Sequence, residues 1–110
     1  GVGIDIIDVN RFRNIPFEKK SSFYKKIFHK NEIDYCLKFK DPYTHFAGKF
    51  AIKESVIKSI NAKEFFLKII TDHHNKKPTV SICGKNDYTF SASITHEKDY
   101  AIGIVIAKKI

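Results

Sequence analysis

The fold of this chain is most clearly indicated by the stretch Phe46-Ala-Gly-Lys-Phe-Ala-Ile-Lys-Glu-Ser-Val-Ile-Lys58. At about 100° per residue, with Phe46 at zero, several apolar residues fall between about 20° and 140°, and Glu54 falls among them at about 80°. These apolar residues are Ala47, Phe50, Ala51 and Ile57. A carboxylate in such an arc is costly unless it is paired, hydrogen-bonded or bound to a metal. The alternative is an ordinary surface pair between Glu54 and Lys58, four residues further on.

The same stretch predicts one long central helix. Asp41 and Pro42 provide a helix cap followed by a proline at the first helical position. We expect this helix to run to about Ile60. Because Ile52 and Val56 lie on its far side, it should be covered by the rest of the protein on more than one side.

The segments before this helix predict a strand and three shorter helices. Residues 1–9 alternate as a strand, with Val2, Ile4 and Ile6 on one face and Asp5 on the other. Gly3 leaves room for a close neighbour. Helical patterns then begin at Asn10, at Phe17 and at Asn31, and the last continues through Leu37.

After Asn61 the period changes to that of strands. Residues 65–71, 79–83, 88–95 and 100–107 read as four strands separated by short turns, which implies antiparallel pairing. The predicted fold class is therefore α+β: an N-terminal strand and helices, then an antiparallel β meander, with the long central helix packed on the sheet. Residues 1–110 are expected to form one compact domain.

Composition limits the classes of function. The 110 residues carry a formal net charge of +8, which favours an anionic partner such as nucleic acid, an acidic protein or a phosphorylated molecule. Only two arginines, Arg11 and Arg13, stand among the 20 basic residues. No apolar run approaches a membrane span, and no signal-peptide pattern is present. Cys36 and Cys83 are expected to be core thiols in a reducing compartment.

Asp5 and Glu54 form the best pair of candidate metal ligands. One lies on a strand and the other on a helix, and two carboxylates with water and phosphate oxygens commonly hold Mg²⁺. Lys49, Lys53 and Lys58 on the same helix could meet phosphate charge. From the residues alone an alternative stays open, in which Asp5 caps a backbone turn and Glu54 pairs with Lys58.

Other possible sites are weaker. His96 ends a strand before a turn, a position that often lines a cleft, although a single histidine is more often structural. His73 and His74 are expected in a solvated turn. The chain has no complete dinucleotide fingerprint, no phosphate-binding P-loop and no nucleophile elbow.

Three motifs together resemble the holo-acyl-carrier-protein synthase family, the short phosphopantetheinyl transferases of bacterial fatty-acid synthesis. The opening Gly1-Val-Gly-Ile-Asp5 matches the family's G-[IV]-G-x-D start. The helix Lys49-Phe-Ala-Ile-Lys53-Glu54-Ser-Val-Ile-Lys58 matches [RK]-F-A-x-K-E-x-x-x-K, and Ser93-Ile-Thr-His96 begins a match to S-[IL]-[ST]-H-x-x-x-[YF]-A. Their order and spacing agree over nearly the whole chain.

This resemblance implies transfer of 4′-phosphopantetheine from coenzyme A to a serine of apo-acyl carrier protein, with release of adenosine 3′,5′-bisphosphate. Asp5 and Glu54 would hold Mg²⁺, and Lys58 would lie near the pyrophosphate, so these three are the candidate catalytic residues. Lys49, Lys53 and His96 would also contact the coenzyme. Arg11 matches a basic residue used to dock the acidic carrier protein. The identity of the general base stays open between Asp8, Glu54 and water.

The resemblance further implies a cytoplasmic homotrimer with coenzyme sites at the subunit junctions, and neither a nucleic-acid nor a membrane partner. Arg13 and the lysines of the second helix would join Arg11 in steering the carrier protein. Those lysines are Lys19, Lys20, Lys25 and Lys26.

The chain departs from the family pattern in three places. The loop after Ile60 lacks a glycine, which removes the expected backbone cradle for phosphate and leaves Lys63 as a possible substitute. The family's G-K-P turn is replaced by Lys76-Lys77-Pro78, so a hairpin could be reshaped. Lys49 stands where Arg is common and keeps the charge without the bidentate geometry.

Two other functions are weighed against the transferase. The first is a non-catalytic basic module that binds nucleic acid with lysines and stacking aromatic rings. Such a module has no need of Asp5 and Glu54 together. The second is an interaction subunit that keeps the fold without turnover, as the altered loop after Ile60 would allow.

Overall fold

The computed structural model describes all residues from Gly1 to Ile110. The elements follow in chain order as strand β1 (Val2–Asp8), helices α1 (Asn10–Arg13), α2 (Phe17–Lys25), α3 (Lys30–Leu37) and α4 (Pro42–Ile60), a 3₁₀ turn (Phe66–Lys68), and strands β2 (Ile69–His74), β3 (Lys77–Ile82), β4 (Tyr88–Glu97) and β5 (Tyr100–Lys109). This order confirms the α+β fold class.

Helix α4 is the central element and begins as the sequence predicts. Asp41 accepts a hydrogen bond from the backbone N–H of Tyr43 and a second from the hydroxyl of Thr44, and Pro42 is the first helical residue. The helix ends at Ile60, and the next residue, Asn61, has a left-handed φ of 52°. Asn61 therefore takes the conformation that glycine often takes at a helix end.

Strands β1, β5 and β4 form one antiparallel sheet in that order, and α4 packs on one side of it. At two positions the backbones of the helix and the sheet are so close that no side chain fits between them. A Cβ atom on Gly3 would lie 1.9 Å from the carbonyl oxygen of Ser55, and one on Gly103 would lie 3.0 Å from the backbone of Ala51. The side of β1 that carries Gly3 and Asp5 therefore faces α4.

The opposite side of this sheet carries a row of aliphatic residues that faces outward. Cross-strand pairing places Val2 beside Ile106, Ile4 beside Ile104 and Ile6 beside Ile102. Val2, Ile4 and Ile6 are 62%, 58% and 58% exposed. We call these six residues the aliphatic face. The structure confirms that the side chains of β1 alternate between two faces. It also shows that the face with Val2, Ile4 and Ile6 is exposed to solvent.

Strands β2 and β3 form a separate two-stranded sheet. The expected meander is thus two hairpins, since β3 and β4 do not belong to the same sheet. The expected strand at residues 65–71 is also shifted, because the 3₁₀ turn occupies its first part and β2 continues to His74. The β2–β3 hairpin keeps a tight two-residue turn at Asn75 and Lys76, whose φ angles are 50° and 66°.

Lys76→Gly is expected to stabilise the protein. A left-handed conformation costs a residue with a side chain about 1–2 kcal/mol, which exceeds the flexibility that glycine adds to the unfolded chain. The expected gain is about 0.5–1 kcal/mol in the free energy of unfolding, measured by urea denaturation. Lys77→Gly is the matched control, because Lys77 lies in β3 and has no positive φ, and it should not stabilise.

An aromatic core joins α4 to the helices before it. Phe12, Tyr24, Phe28 and Phe46 are almost fully buried, and the Tyr24 and Phe46 rings lie 4.7 Å apart between centroids. Cys36 is buried beside this core, whereas Cys83 is exposed, so the prediction of two core thiols is wrong for Cys83. No helix combines the length and the apolar character needed to cross a bilayer.

Candidate functional site

Asp5 lies where the edge strand β1 meets the last turns of α4. Its carboxylate side chain is only 17% exposed and faces the helix rather than the aliphatic face. The Lys58 ammonium donates to Asp5 Oδ1 at 3.1 Å and to the carbonyl oxygen of Ile4 at 3.0 Å. Asp5 therefore does not cap a backbone turn. That role belongs to Asp8, whose Oδ1 accepts from the N–H of Asn10 at 3.0 Å.

Glu54 lies one helical turn before Lys58 and is half-buried. Burial, followed by the negative charge of Asp5, raises the pKa of Glu54, while Lys58 and Arg11 oppose the change. The two carboxylates are thus close enough to repel each other. Lys58 forms its ion pair with Asp5 and not with Glu54. The alternative of an isolated Glu54–Lys58 surface pair is therefore wrong.

Arg11 lies beside the same rim. It is exposed on α1, and its guanidinium carbon stands 5.9 Å from the centre of the Phe50 ring. The electrostatic effect of Arg11 on Glu54 places this cation near the carboxylate pair. A ligand that reaches Glu54 would thus meet a positive charge on the α1 side and another, Lys58, on the β1 side.

This arrangement fits a divalent cation that is completed by ligands from outside the protein. Asp5 and Glu54 offer carboxylate oxygens, the donors that Mg²⁺ prefers, and their mutual repulsion favours a cation between them. No group of three or more His, Cys, Asp or Glu side chains is arranged to hold a metal ion by itself. Water and phosphate oxygens would have to fill the remaining positions.

Lys53 does not join this group, although it precedes Glu54. Its ammonium is fully buried and donates to Glu32 Oε1 at 2.9 Å and to the carbonyl oxygens of Ile27 at 2.9 Å and Phe66 at 3.0 Å. An ammonium has three N–H donors, and all three are used. The prediction that Lys53 contacts a phosphate is therefore wrong.

Lys49 is also turned away from Glu54. Its ammonium is buried, donates to the hydroxyl of Thr71 at 3.1 Å and to the carbonyl oxygen of Thr71 at 3.4 Å, and lies 4.7 Å from the centre of the Tyr35 ring. It also borders a cavity of about 150 Å³ between α3 and β2. Contact of Lys49 with the coenzyme stays a prediction.

Arg13 is held by two ion pairs within the chain. Its guanidinium binds Asp41 at 2.7 Å and Asp99 at 2.9 Å, and so joins α1 to the start of α4 and to the β4–β5 turn. Because both contacts neutralise the guanidinium, Arg13 does not offer a free charge to an acidic partner. The docking role of Arg13 stays a prediction, and Arg11, which has no ion pair within the chain, is the stronger candidate.

His96 borders a different pocket from the carboxylate pair. This pocket has a volume of about 230 Å³ and is lined by His96, His45, His73 and Lys76, together with Tyr35 and Pro78 among others. The His45 and His96 rings lie 6.4 Å apart. Burial, and then His96, lowers the pKa of His45. A single chain therefore does not bring His96 to Asp5 and Glu54.

Sequence reasoning missed several polar residues. His73 is not in a solvated turn, because its ring stacks on Tyr35 at 4.5 Å and is half-buried. Glu32 is almost fully buried on α3 and was not singled out from the sequence. A signal for Glu32 was present, since it lies next to Ile33 and four residues before Cys36, on the apolar side of α3.

Comparison with known proteins points to one family. Residues 1–105 match the model of the 4′-phosphopantetheinyl transferase superfamily. A protein of Thermodesulfovibrio yellowstonii named holo-acyl-carrier-protein synthase is 39% identical over an alignment of 109 residues that covers 96% of this chain and 96% of that one. The fold is similar to the Helicobacter pylori synthase in complex with coenzyme A, with a TM-score of 0.87, 27% identity, and coverage of 98% of this chain and all of that one. It is also similar to the Bacillus anthracis synthase in complex with CoA (3′,5′-ADP), with a TM-score of 0.86, 26% identity, and coverage of all of this chain and 96% of that one.

Proposed function

The chain belongs to the 4′-phosphopantetheinyl transferase superfamily, and on that premise we propose that it is a holo-acyl-carrier-protein synthase. It transfers 4′-phosphopantetheine from coenzyme A to a serine hydroxyl of apo-acyl carrier protein, in fatty-acid synthesis. The leaving group is adenosine 3′,5′-bisphosphate. The observation that carries the proposal is geometric: in a chain of this family, Lys58 of α4 binds Asp5 of β1, and Glu54 lies one helical turn before Lys58.

Asp5 and Glu54 would hold Mg²⁺. When bound, the cation would offset negative charge on the pyrophosphate and so make its phosphorus easier to attack. Burial, and then the charge of Asp5, raises the pKa of Glu54, and a cation bound between the two carboxylates would stabilise the ionised form against both effects.

Lys58 has a further part in the reaction. Its side chain is 52% exposed, so the ammonium can exchange part of its contact with Asp5 for an oxygen of the pyrophosphate. Phosphoryl transfer depends mainly on positioning and on neutralising charge, which a lysine at this place can supply. The serine must also lose a proton. Glu54, Asp8 and a water molecule are the acceptors we consider.

The coenzyme is proposed to span two subunits of a homotrimer. The aliphatic face would be covered by neighbouring copies, since an exposed apolar surface of this kind typically marks an interface. His96 would then reach a coenzyme that is bound at Asp5 and Glu54 of another copy. This arrangement accounts for a pocket lined by histidines and Lys76 that does not contain the carboxylate pair.

The acidic carrier protein is proposed to dock beside Arg11. Lys19, Lys20, Lys25 and Lys26 lie exposed on or just after α2 and would add long-range attraction. We also propose a cytoplasmic location. Both cysteines are free thiols, which is usual in a reducing compartment.

The decisive test of the proposal is intact-mass measurement after incubation with coenzyme A, MgCl₂ and apo-acyl carrier protein. The expected result is a carrier protein heavier by one phosphopantetheine group, and no change when the metal is chelated. Tight binding of random oligonucleotides without a mass shift would instead support the nucleic-acid-binding module. Absence of both would favour an interaction subunit without turnover.

Arg11→Glu is expected to raise the KM for the carrier protein by about tenfold or more and to leave the KM for coenzyme A within about twofold. The reason is that Arg11 lies exposed beside Glu54, where the serine must arrive. Steady-state kinetics at two salt concentrations provides the measurement, because docking by charge weakens with salt.

Lys38→Glu is the matched control for Arg11→Glu. It makes the same change of charge at an exposed position after α3. The control should have little effect on either KM. Equal increases in both KM values for Arg11→Glu would contradict carrier docking at this residue.

A further inference from the structure

A buried ionic cluster lies on the side of α4 away from the carboxylate pair. It consists of Glu32, Lys49, Lys53 and Thr71, which are 2%, 2%, 0% and 5% exposed. Glu32 Oε1 accepts from Lys53 Nζ at 2.9 Å and from the N–H of His29 at 2.7 Å. Glu32 Oε2 accepts from the N–H of Thr71 at 2.9 Å and from its hydroxyl. The proposed reaction uses none of these contacts directly.

The cluster joins α4 to four other segments. Through its ammonium, Lys53 contacts Glu32 of α3, the Ile27 carbonyl that follows α2 and the Phe66 carbonyl of the 3₁₀ turn. Glu32 extends the connection to Thr71 in β2. Burial alone would raise the pKa of Glu32, but the charge of Lys53 and the hydrogen bonds from Thr71 and Lys53 outweigh it and hold that pKa below its ordinary value.

Stability does not explain why the chain keeps this ion pair. Replacing a buried ion pair by apolar side chains of similar volume is often neutral or stabilising, because desolvation of the two charges is costly. What the pair adds is direction. The Lys53 ammonium meets three acceptors from three different segments, and keeping all three contacts favours a narrow range of rotation of the helix about its axis.

The backbone contacts at Gly3 and Gly103 limit sliding of α4 along the sheet, but apolar side chains do little to fix its rotation about its own axis. Buried residues occur on nearly all sides of α4, so a small rotation of the helix would leave its apolar side chains buried and cost little apolar burial. These residues include Phe46, Ala47, Phe50, Ala51, Ile52 and Val56. A buried polar pair is a known means of fixing register where apolar surfaces permit several.

We propose that Lys53 is a positioning residue. Through its ion pair with Glu32 it fixes the rotation of α4, and so directs Glu54 and Lys58 toward Asp5. Glu54 is the next residue, about 100° further around the helix. Rotation of α4 by about 20° at a carboxylate some 6 Å from the axis would displace it by about 2 Å. The expected effect on kcat rests on the proposed function, whereas the expected effects on stability and on metal affinity do not.

The test replaces both charges with Met in Glu32→Met/Lys53→Met and measures three quantities. Urea denaturation should show stability equal to or above the wild type. The kcat for transfer should fall at least about tenfold, since misplacement by about 1 Å can cost up to about a hundredfold, while both KM values stay within about threefold. Mn²⁺ affinity without coenzyme, followed by electron paramagnetic resonance, should fall at least about fivefold because the carboxylates diverge.

The matched control is Lys30→Met, which removes the exposed Lys30–Asp34 ion pair from the same helix α3. It should leave all three quantities near wild type. A double variant that is stable and keeps both kcat and Mn²⁺ affinity would overturn the proposal. If the wild type has no transferase activity, the proposed function fails, but the Mn²⁺ comparison still tests the positioning of Glu54.

Glu32→Gln provides the test if the double variant does not fold. Both carboxylate oxygens of Glu32 accept from N–H donors, of His29 and Thr71, so the amide NH₂ of Gln must face one of them and force a shift. We expect a loss of at least about threefold in both kcat and Mn²⁺ affinity. Wild-type values in a folded Glu32→Gln variant would overturn the proposal.

Discussion

Glu54→Gln should lower kcat for Mg²⁺-dependent transfer by about 10²–10³-fold, because it removes one of two carboxylates that would hold the cation and stabilise the transition state. The change keeps the shape of the side chain, and Glu54 makes no ion pair that the fold needs. The measurement is the initial rate of carrier-protein labelling at saturating coenzyme A over a range of MgCl₂.

The same variant should be at least as stable as the wild type at neutral pH. Burial and the charge of Asp5 raise the pKa of Glu54 in the folded state, so ionised Glu54 destabilises the fold above that pKa, and the effect disappears once pH falls below the unfolded value. The stability gain of Glu54→Gln should therefore be larger at pH 7 than at pH 4. In the wild type, activity should fall as acid protonates Glu54.

Asp34→Asn is the matched control for Glu54→Gln, because it neutralises an exposed carboxylate on α3. It should leave kcat unchanged within about twofold. Normal labelling by Glu54→Gln at saturating MgCl₂ would exclude a metal role for this residue. A large loss of stability would instead show that Glu54 serves the fold.

The second large effect is expected for Ile106→Lys. Ile106 is 51% exposed on the aliphatic face and pairs with Val2 across the sheet. In a trimer this change would bury three unpaired charges, each costing several kcal/mol. Light scattering should show dissociation to monomers, and transfer should fall at least about tenfold because the coenzyme site would lose the residues of the neighbouring copy.

Leu37→Lys is the matched control for Ile106→Lys, since Leu37 is an exposed apolar residue (42%) on α3, outside the aliphatic face. It should leave both the mass in solution and the rate unchanged. A monomeric Ile106→Lys variant with full activity would contradict coenzyme sites shared between subunits. A wild type that is itself monomeric would contradict the trimer.

Local sequence patterns were sufficient to predict much of the fold and part of the site. The Asp41–Pro42 start of α4 depends on neighbouring residues only, and it was predicted correctly. Glu54 stood out because a carboxylate in an apolar arc is costly wherever the helix packs. Asp5 and Glu54 were paired as candidate metal ligands from their places on a strand and a helix, and the resemblance gave them the same role. In the structure, the charge of Asp5 helps to raise the pKa of Glu54, while their joint binding of a metal stays a prediction.

The remaining features depend on contacts between distant residues. Arg13 forms an ion pair with Asp99, which is 86 positions away in the sequence. No local sequence pattern predicts this ion pair. The residues next to Lys53 in the sequence do not distinguish it from a lysine on the surface. Its burial results from the packing of α3 and the 3₁₀ turn against α4. The outward direction of Val2, Ile4 and Ile6 likewise depends on which side of β1 receives the helix.

Because Gly3 and Gly103 have no side chains, the candidate site is expected to be formed before substrate binds. Because the backbone of α4 rests directly against β1 and β5, the helix and the sheet have little freedom to slide or separate. The spacing of Asp5 and Glu54 is therefore set during folding and not by an arriving ligand. We expect the amide hydrogens of α4 and those that β1 donates to β5 to be protected from exchange already without coenzyme, the signature of a preorganised site.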